Sequence, residues 1–306
     1  MLNRTGRLLL LMVGTSVALA GCSGATGTQD DGRLTVVASI YPLQYVIEQV
    51  GGDAIAVSTV TPAGADPHAV ELSPRQLRTF GDADAVVYLS GFQPAVDEAI
   101  AARAPEHVLD VAAAADLRPL QAGAVDENGN QPSSGTLDPH FWLDPTRLAA
   151  VAHEVARLLG EVDPVNAATY AANADTLDAD LVSLDTEFAS GLANCTGDTV
   201  VTSHASLGYL TQRYGLRQVA VSGLNPEGEP SPARMREVRA EIERYGVSTV
   251  FTEPLADPAV AATLSADLGV EVGQLDPLDS HADTAADYRD VMHANLDALR
   301  AGLGCS

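Results

Sequence analysis

The stretch Leu-Asp-Pro-His-Phe-Trp-Leu-Asp-Pro, residues 137–145, places one histidine between two Asp-Pro pairs. Proline lacks a backbone donor and keeps the residue before it out of the helical region, so the chain turns at each pair and a helix can start after it. Residues 146–159 have the periodicity of such a helix. We therefore interpret His140 as a side chain held at a turn, and as a candidate metal ligand.

Three other polar side chains occupy comparable settings, each near the end of an apolar run or at a helix start. His68 stands in Asp-Pro-His, His204 follows Val-Val-Thr-Ser, and Asp276 stands in Leu-Asp-Pro. Three imidazoles and one carboxylate fill a tetrahedral zinc site. No pair has the short spacing of a zinc finger or of H-E-x-x-H, so a shared site needs the two halves of the chain to meet. Taken singly, each histidine is interpreted equally well as a buried residue whose ring is hydrogen-bonded within the protein. The other four histidines are assigned to structure or solvent: His107, His153, His281 and His293.

The segments before and after this stretch alternate β-branched, apolar runs with helical patterns. The predicted strands are residues 34–40, 54–60, 85–89 and 107–111 in the first half, and residues 199–202, 218–221, 247–252 and 270–275 in the second. Apolar strands separated by helices are typical of parallel sheets covered on both faces. We predict an α/β fold with two lobes, each containing a mostly parallel four-stranded sheet flanked by helices.

A long helix is predicted between the two halves, from Asp163-Pro164 to about residue 191. At 1.5 Å per residue it would span about 40 Å, enough for a rigid brace that joins the lobes; packing within one lobe is the alternative. Residues 121–135 lack periodicity and are predicted to be a mobile loop. The expected boundaries are 33–160 for the N-terminal lobe, 161–192 for the connecting helix and 193–306 for the C-terminal lobe.

The N-terminus has the pattern of a secretion signal. Arg4 and Arg7 precede an apolar run at 8–20, which is too short for a good transmembrane helix. The run ends in Leu-Ala-Gly-Cys, which matches a bacterial lipobox and predicts a signal peptide at 1–21, lipidation of Cys22 and a flexible tether at 22–32. An ordinary signal peptide with a chance cysteine is the alternative. We expect an extracytoplasmic protein anchored to the cell membrane.

Two cysteines remain once Cys22 is lipidated. An even pair in an oxidising compartment favours a disulfide between Cys195 and Cys305, although two unpaired thiols stay possible.

The composition bounds the class of partner. At 306 residues and 46% hydrophobic, the chain is long enough for two cores. Basic residues number 17 against 41 acidic ones, for a net charge of −24. Such a chain repels nucleic acid, so no nucleic-acid partner is expected, and acidity alone identifies no ligand.

The candidate ligands lie within an ordered set of short motifs. These are Asp66-Pro67-His68 with Glu71 and Pro74, the stretch 137–145, His204-Ala205-x-x-Gly208-Tyr209-Leu210-x-x-x-Tyr214-Gly215, Phe251-x-Glu253-Pro254, and Leu275-Asp276-Pro277-Leu278. The set resembles the zinc and manganese solute-binding lipoproteins of ABC importers, of the ZnuA type, over nearly all of the mature chain. The resemblance implies two α/β lobes joined by a long helix, metal contacts at His68, His140, His204 and Asp276, and an ABC permease with its ATPase as partners.

The donor set indicates the metal. Imidazole suits zinc, and manganese-binding members of the resembled family commonly carry a carboxylate at the position of His204, so zinc as transported ligand is favoured over manganese. A metal-dependent surface adhesin is a further alternative. Glu71, Asp144 and Glu253 are candidates for orienting the imidazoles, and solvation at the surface is an equally good interpretation of each. Four protein ligands leave no position for an activating water, so a binding protein is expected rather than an enzyme. We also expect a monomer.

Overall fold

The computed structural model describes residues 32–120, 136–226, 230–254, 256–281 and 285–306. The predicted signal peptide, Cys22 and the predicted loop 121–135 lie outside the described residues.

The first sheet is entirely parallel and has the strand order β2-β1-β3-β4. Its apolar strands are covered by helices that begin with proline in the first turn, where a missing N–H removes no helical hydrogen bond. The elements are β1 (Leu34–Ala38), α1 (Tyr41–Gly51), β2 (Ile55–Thr59), α2 (Pro74–Asp82), β3 (Ala85–Tyr88), α3 (Pro94–Arg103) and β4 (Val108–Asp110).

The second sheet repeats this arrangement with the order β6-β5-β7-β8, again all parallel. Its elements are β5 (Thr199–Thr202), α6 (Gly208–Arg213), β6 (Arg217–Ala220), α7 (Pro232–Tyr245), β7 (Thr249–Thr252), α8 (Pro258–Leu268), β8 (Glu271–Gln274) and α9 (Tyr288–Leu303). The predicted fold class is therefore confirmed. In the first sheet β1 lies between β2 and β3, and in the second sheet β5 lies between β6 and β7. Because all strands of a sheet are parallel, the loops that follow them lie at the same edge of that sheet.

Two helices connect the halves: α4 (Pro145–Val162) and α5 (Ala167–Gly191). The long helix begins at Ala167, not at Pro164 as predicted, because Asp163 ends α4 and its carboxylate closes a turn with Val165 N and the Asn166 side chain. Helix α5 packs against α1 and α4 on one side and against α9 on the other. Among the described residues, no helix is both long and apolar enough to cross a bilayer.

The stretch 137–145 is locked between the two sheets. Trp142 is fully buried; its indole N–H donates to Pro277 O at 2.8 Å, and its carbonyl accepts the Tyr288 hydroxyl at 2.6 Å. One hydrophobic cluster runs from Val36 of β1 to Leu299 of α9. His140 therefore sits on a segment that is fixed to both halves of the chain.

The predicted disulfide is present. Cys195 and Cys305, 110 residues apart, are bonded. Their backbones pair as well, with Ser306 N donating to Asn194 O at 3.1 Å. The bond ties the end of α9 to the segment that follows α5.

Candidate metal centre

Three histidines and one aspartate converge where the two sheets meet. One ligand atom from each of His68, His140, His204 and Asp279 lies within 4.8 Å of all the others. His140 and His204 are completely buried, and Asp279 is 6% exposed. The Nε2 atoms of all three imidazoles are buried without a hydrogen-bond partner. Unpaired buried acceptors are costly, so their convergence indicates a place for a cation.

Asp-Pro turns orient two of these histidines. In each Asp-Pro-His sequence the aspartate Oδ1 accepts the backbone N–H of the histidine, at 2.8 Å for Asp66 and His68 and at 2.9 Å for Asp138 and His140. This is the Asx turn expected of Asp before Pro. It brings the imidazole to the loop edge that faces the other half of the chain.

A carboxylate holds the Nδ1 atom of each fully buried imidazole. Asp138 Oδ1 lies 2.8 Å from His140 Nδ1, and Glu253 Oε2 lies 2.5 Å from His204 Nδ1. Glu253 follows β7, the neighbour of the strand that precedes His204, so sheet order brings the pair together. A proton on Nδ1 donates to the carboxylate and leaves Nε2 with a lone pair aimed at the centre.

The pKa shifts in the centre favour a neutral His140 and an ionised Asp279. Burial, followed by the neighbouring His204 and His68, lowers the pKa of His140 well below its usual value. Burial also disfavours a charged His204, but Glu253 outweighs it and leaves the pKa of His204 raised. Burial raises the pKa of Asp138 to about 7. For Asp279 burial is outweighed by the three histidines, which lower the pKa of that carboxyl. An ionised carboxylate facing imidazole nitrogens suits a divalent cation.

The structure brings Asp279 to the histidines, and not the predicted Asp276. Asp279 Oδ2 lies 3.8 Å from His68 Nε2 and 4.0 Å from His204 Nε2. Asp276 instead forms a third Asx turn, in which its Oδ1 accepts Leu278 N at 2.8 Å, and its backbone is held on both sides by Asn295. Leu278 then takes a left-handed conformation with φ of 62°, which directs the next residue, Asp279, into the centre. The carboxylate of Asp276 is thus used by the turn itself.

The three carboxylates predicted to orient imidazoles have different environments. Glu253 contacts His204 as described. Asp144 caps α4 through Thr146 N and pairs with Arg147 and Arg213. Glu71 is exposed. Asp138, two residues before His140 in the sequence, is the orienting carboxylate that the prediction omitted.

The remaining histidines lie outside the four-residue cluster. His153 is near Asp178 on α5, His293 pairs with Glu187 at 2.9 Å, and His281 stacks on the Tyr41 ring at 3.6 Å. His107 is half-buried at the start of β4.

The cluster has the size of a tetrahedral zinc site. Zinc bonds of 2.0–2.2 Å place tetrahedral ligand atoms about 3.4 Å apart. The distances of 3.8 Å and 4.0 Å from Asp279 to His68 and His204 would shorten by about half an ångström on zinc binding, and any ligand-atom pair at the 4.8 Å limit by about 1.4 Å. A cavity of about 590 Å³ reaches Asp279 and is also lined by Asp66 and Glu253. These carboxylates stand in a mostly apolar lining, and their charge favours the approach of cations.

The chain is similar to known zinc-binding proteins over most of its length. The family model described as zinc-uptake complex component A periplasmic matches residues 36–302. The zinc-binding lipoprotein AdcA of Streptococcus pneumoniae is 34% identical over 301 residues, covering 95% of this chain and 60% of the relative. This chain thus spans about three fifths of that relative's length.

Two solved structures share the architecture. The crystal structure of Streptococcus pneumoniae AdcAII is 29% identical, with a TM-score of 0.79, and the match covers 89% of this chain and 100% of that one. The Zn(II)-bound ZnuA-like domain of Streptococcus pneumoniae AdcA is 30% identical, with a TM-score of 0.73, and the match covers 89% and 99% of the two chains. Since the family model spans nearly all of the described sequence, this chain belongs to the ZnuA family of zinc-uptake complex components.

Proposed function

We propose that this protein captures one zinc ion between its lobes and delivers it to the permease of an ABC importer. His68, His140, His204 and Asp279 are the proposed ligands. The observation that carries the proposal is the meeting of three unpartnered Nε2 atoms with one carboxylate inside 4.8 Å. Neutral imidazole and carboxylate are the usual ligands of protein-bound zinc.

The donor set favours zinc over manganese. Manganese prefers sites richer in oxygen and higher in coordination number, whereas three of the four candidate donors here are imidazole nitrogens. His204 is one of these nitrogen donors, because Glu253 holds the ring by Nδ1 and leaves Nε2 directed at the centre. The similarity to a Zn(II)-bound domain and to a zinc-binding lipoprotein supports the same choice.

The site supports transport rather than catalysis. A catalytic zinc keeps an open coordination position for water, whereas four protein side chains complete a tetrahedron. Release then requires a ligand-bearing segment to move when the permease docks. Asp279 belongs to the segment that bridges the halves, since Gly64 N donates to Ser280 O at 2.8 Å. Separation of the lobes, at 33–160 and 193–306, would break this contact and withdraw one ligand.

The proposed setting is extracytoplasmic, with a lipid anchor at Cys22 and the importer's permease and ATPase as partners of a monomeric receptor. Support comes from the lipobox at 19–22, from the disulfide between Cys195 and Cys305, which suits an oxidising compartment, and from the lipoprotein relative.

Elemental analysis and zinc titration test the proposal. Protein purified without added metal should bind one zinc per chain, and His204→Ala should lose roughly 100-fold or more in affinity, because one of four ligands is removed. His153→Ala, which changes an exposed histidine of α4, is the matched control and should bind as the wild type does. Wild-type protein that binds no zinc, or a His204→Ala variant with unchanged affinity, would overturn the assignment. Loss of zinc uptake in cells that carry His204→Ala as their sole copy tests delivery.

A further inference from the structure

We propose that Gly208 is a positioning residue for metal binding: its missing side chain lets α6 press against the Asp138 carboxylate and hold it on His140. The inference rests on the proposed function, since it concerns the orientation of one proposed ligand. Gly208 is the first residue of α6 and is not one of the four proposed ligands. The inference assigns it a role in orienting one of them, His140.

The contact leaves no room for a methyl group. A Cβ built on Gly208 would lie 2.3 Å from Asp138 Oδ2 and 3.6 Å from its Cγ. Favourable contacts between heavy atoms begin near about 3.5 Å, so an alanine at this position forces the carboxylate oxygen to move by about 1 Å. Within the part of the chain that the structure describes, no other heavy atom is within 4 Å of that Cβ, apart from those of Gly208's chain neighbours and the backbone of its own helix.

Asp138 can move only at the expense of His140. Its Oδ1 binds both the backbone N–H and the ring Nδ1 of His140, so a turn of the carboxylate away from Gly208 disturbs both contacts. The backbone of Asp138 is fixed as well: its N–H donates to Arg118 O at 2.9 Å, and its carbonyl accepts the Tyr209 hydroxyl at 2.9 Å. Because the backbone of Asp138 is held and the residue is only 3% exposed, a methyl group at position 208 would displace the Asp138 side chain and not its backbone.

The contact joins the two halves of the chain. Gly208 lies four residues after His204 on the connection that leaves β5, whereas Asp138 precedes His140 in the segment before α4. Tyr209 strengthens the same junction, because its hydroxyl also accepts Arg118 N at 2.8 Å. The position of α6 therefore constrains the carboxylate that orients His140.

A double-mutant cycle tests the inference. Gly208→Ala should weaken zinc binding by about 10- to 100-fold, the range found when a partner that orients a metal-ligating histidine is lost. Asp138→Ala should have a similar effect. In the Asp138→Ala background no side-chain atom remains near the new methyl, so adding Gly208→Ala should change the affinity by less than about twofold. Gly81→Ala, in α2 with its nearest neighbour at 3.8 Å, is the control and should bind zinc normally.

Cobalt(II) absorption distinguishes positioning from a general structural effect. Gly208→Ala should alter the visible bands of bound cobalt, since the orientation of one imidazole changes, while the circular dichroism of the apoprotein stays that of the wild type. Equal loss of affinity in both backgrounds would show that Gly208 matters only to α6 and would overturn the inference. Wild-type affinity in Gly208→Ala would overturn it too, with the proposed function intact. If the wild type itself fails to bind zinc, the proposed function fails first.

Discussion

Asp279 and Asp276 provide a matched pair of substitutions, because both are aspartates of one turn and only Asp279 faces the histidines. Asp279→Asn removes the single carboxylate charge from the proposed ligand set. Asp276→Asn keeps an amide oxygen that can still accept Leu278 N and close the turn. We therefore expect Asp279→Asn to lose most of the zinc affinity and Asp276→Asn to retain it.

The size of the effect follows from the number of ligands. Structural zinc sites with four protein ligands bind with about 10–16 kcal/mol, or about 3 kcal/mol for each ligand. A loss of about 3 kcal/mol is roughly a 100-fold rise in Kd. For Asp276→Asn a change within about threefold is expected, equivalent to about 0.7 kcal/mol or less.

Competition against a fluorescent zinc chelator at pH 7.5 measures both constants. Thermal unfolding of the metal-free variants checks that each is folded before zinc is added. The reasoning is refuted if Asp279→Asn retains the zinc affinity, or if Asp276→Asn, folded as the wild type is, weakens binding as much as Asp279→Asn does.

Three further predictions concern the same molecule. Glu253→Gln should weaken zinc binding about 10- to 100-fold at pH 7.5, because His204 loses the carboxylate that fixes its ring; unchanged titration would contradict this. The zinc affinity of the wild type should fall as the pH falls from 7.5 to 5.5, by up to about tenfold per pH unit for each proton displaced, because the raised pKa of His204 makes zinc compete with a proton. An affinity that does not change with pH would contradict this prediction. Glu253→Gln should make the affinity less dependent on pH. Replacing Cys195 and Cys305 by serine should remove about 2–5 kcal/mol from the free energy of unfolding in urea, and a midpoint equal to the wild type would contradict this.

The Asp-Pro pairs show what local sequence determines and where it stops. The turn at each pair was predictable, and so was its consequence that the histidine two residues after Asp66 or Asp138 is held by that turn. Applied to Asp276, the same rule assigns one carboxylate oxygen of that residue to the turn, and it is Asp279 that the fold brings to the histidines. The choice of Asp279 depends on the left-handed conformation of Leu278, which no short-range pattern of apolar residues indicates.

The two parallel sheets were also within reach of the sequence, although their strand order was not predicted. Strands and helices alternate because β-branched runs and helical patterns alternate, and both four-stranded parallel sheets follow from that alternation. The start of α5 was misplaced because Asp163-Pro164 has the composition of a helix N-terminus but serves to end α4. Here the side chains around Asp163 decide the turn, and residue type alone fits either role.

Contacts between distant segments were the least predictable. Asp144 looked suited to orient an imidazole, yet it pairs with Arg213 across the halves, because the fold places α6 beside the start of α4. The approach of Gly208 to Asp138 is of the same kind: it joins residues 70 positions apart, and only the packing of α6 reveals it.

Helix α9 is the last described element to be synthesised, although every proposed ligand precedes it. The Asn295 side chain hydrogen-bonds both the backbone N–H and the backbone carbonyl of Asp276, and the Tyr288 hydroxyl donates to the carbonyl of Trp142. A nascent polypeptide can therefore emerge with all four donor residues and still lack the support that aligns them. A chain truncated before residue 288 loses these contacts, so we expect it to bind zinc weakly although it contains all four proposed ligands.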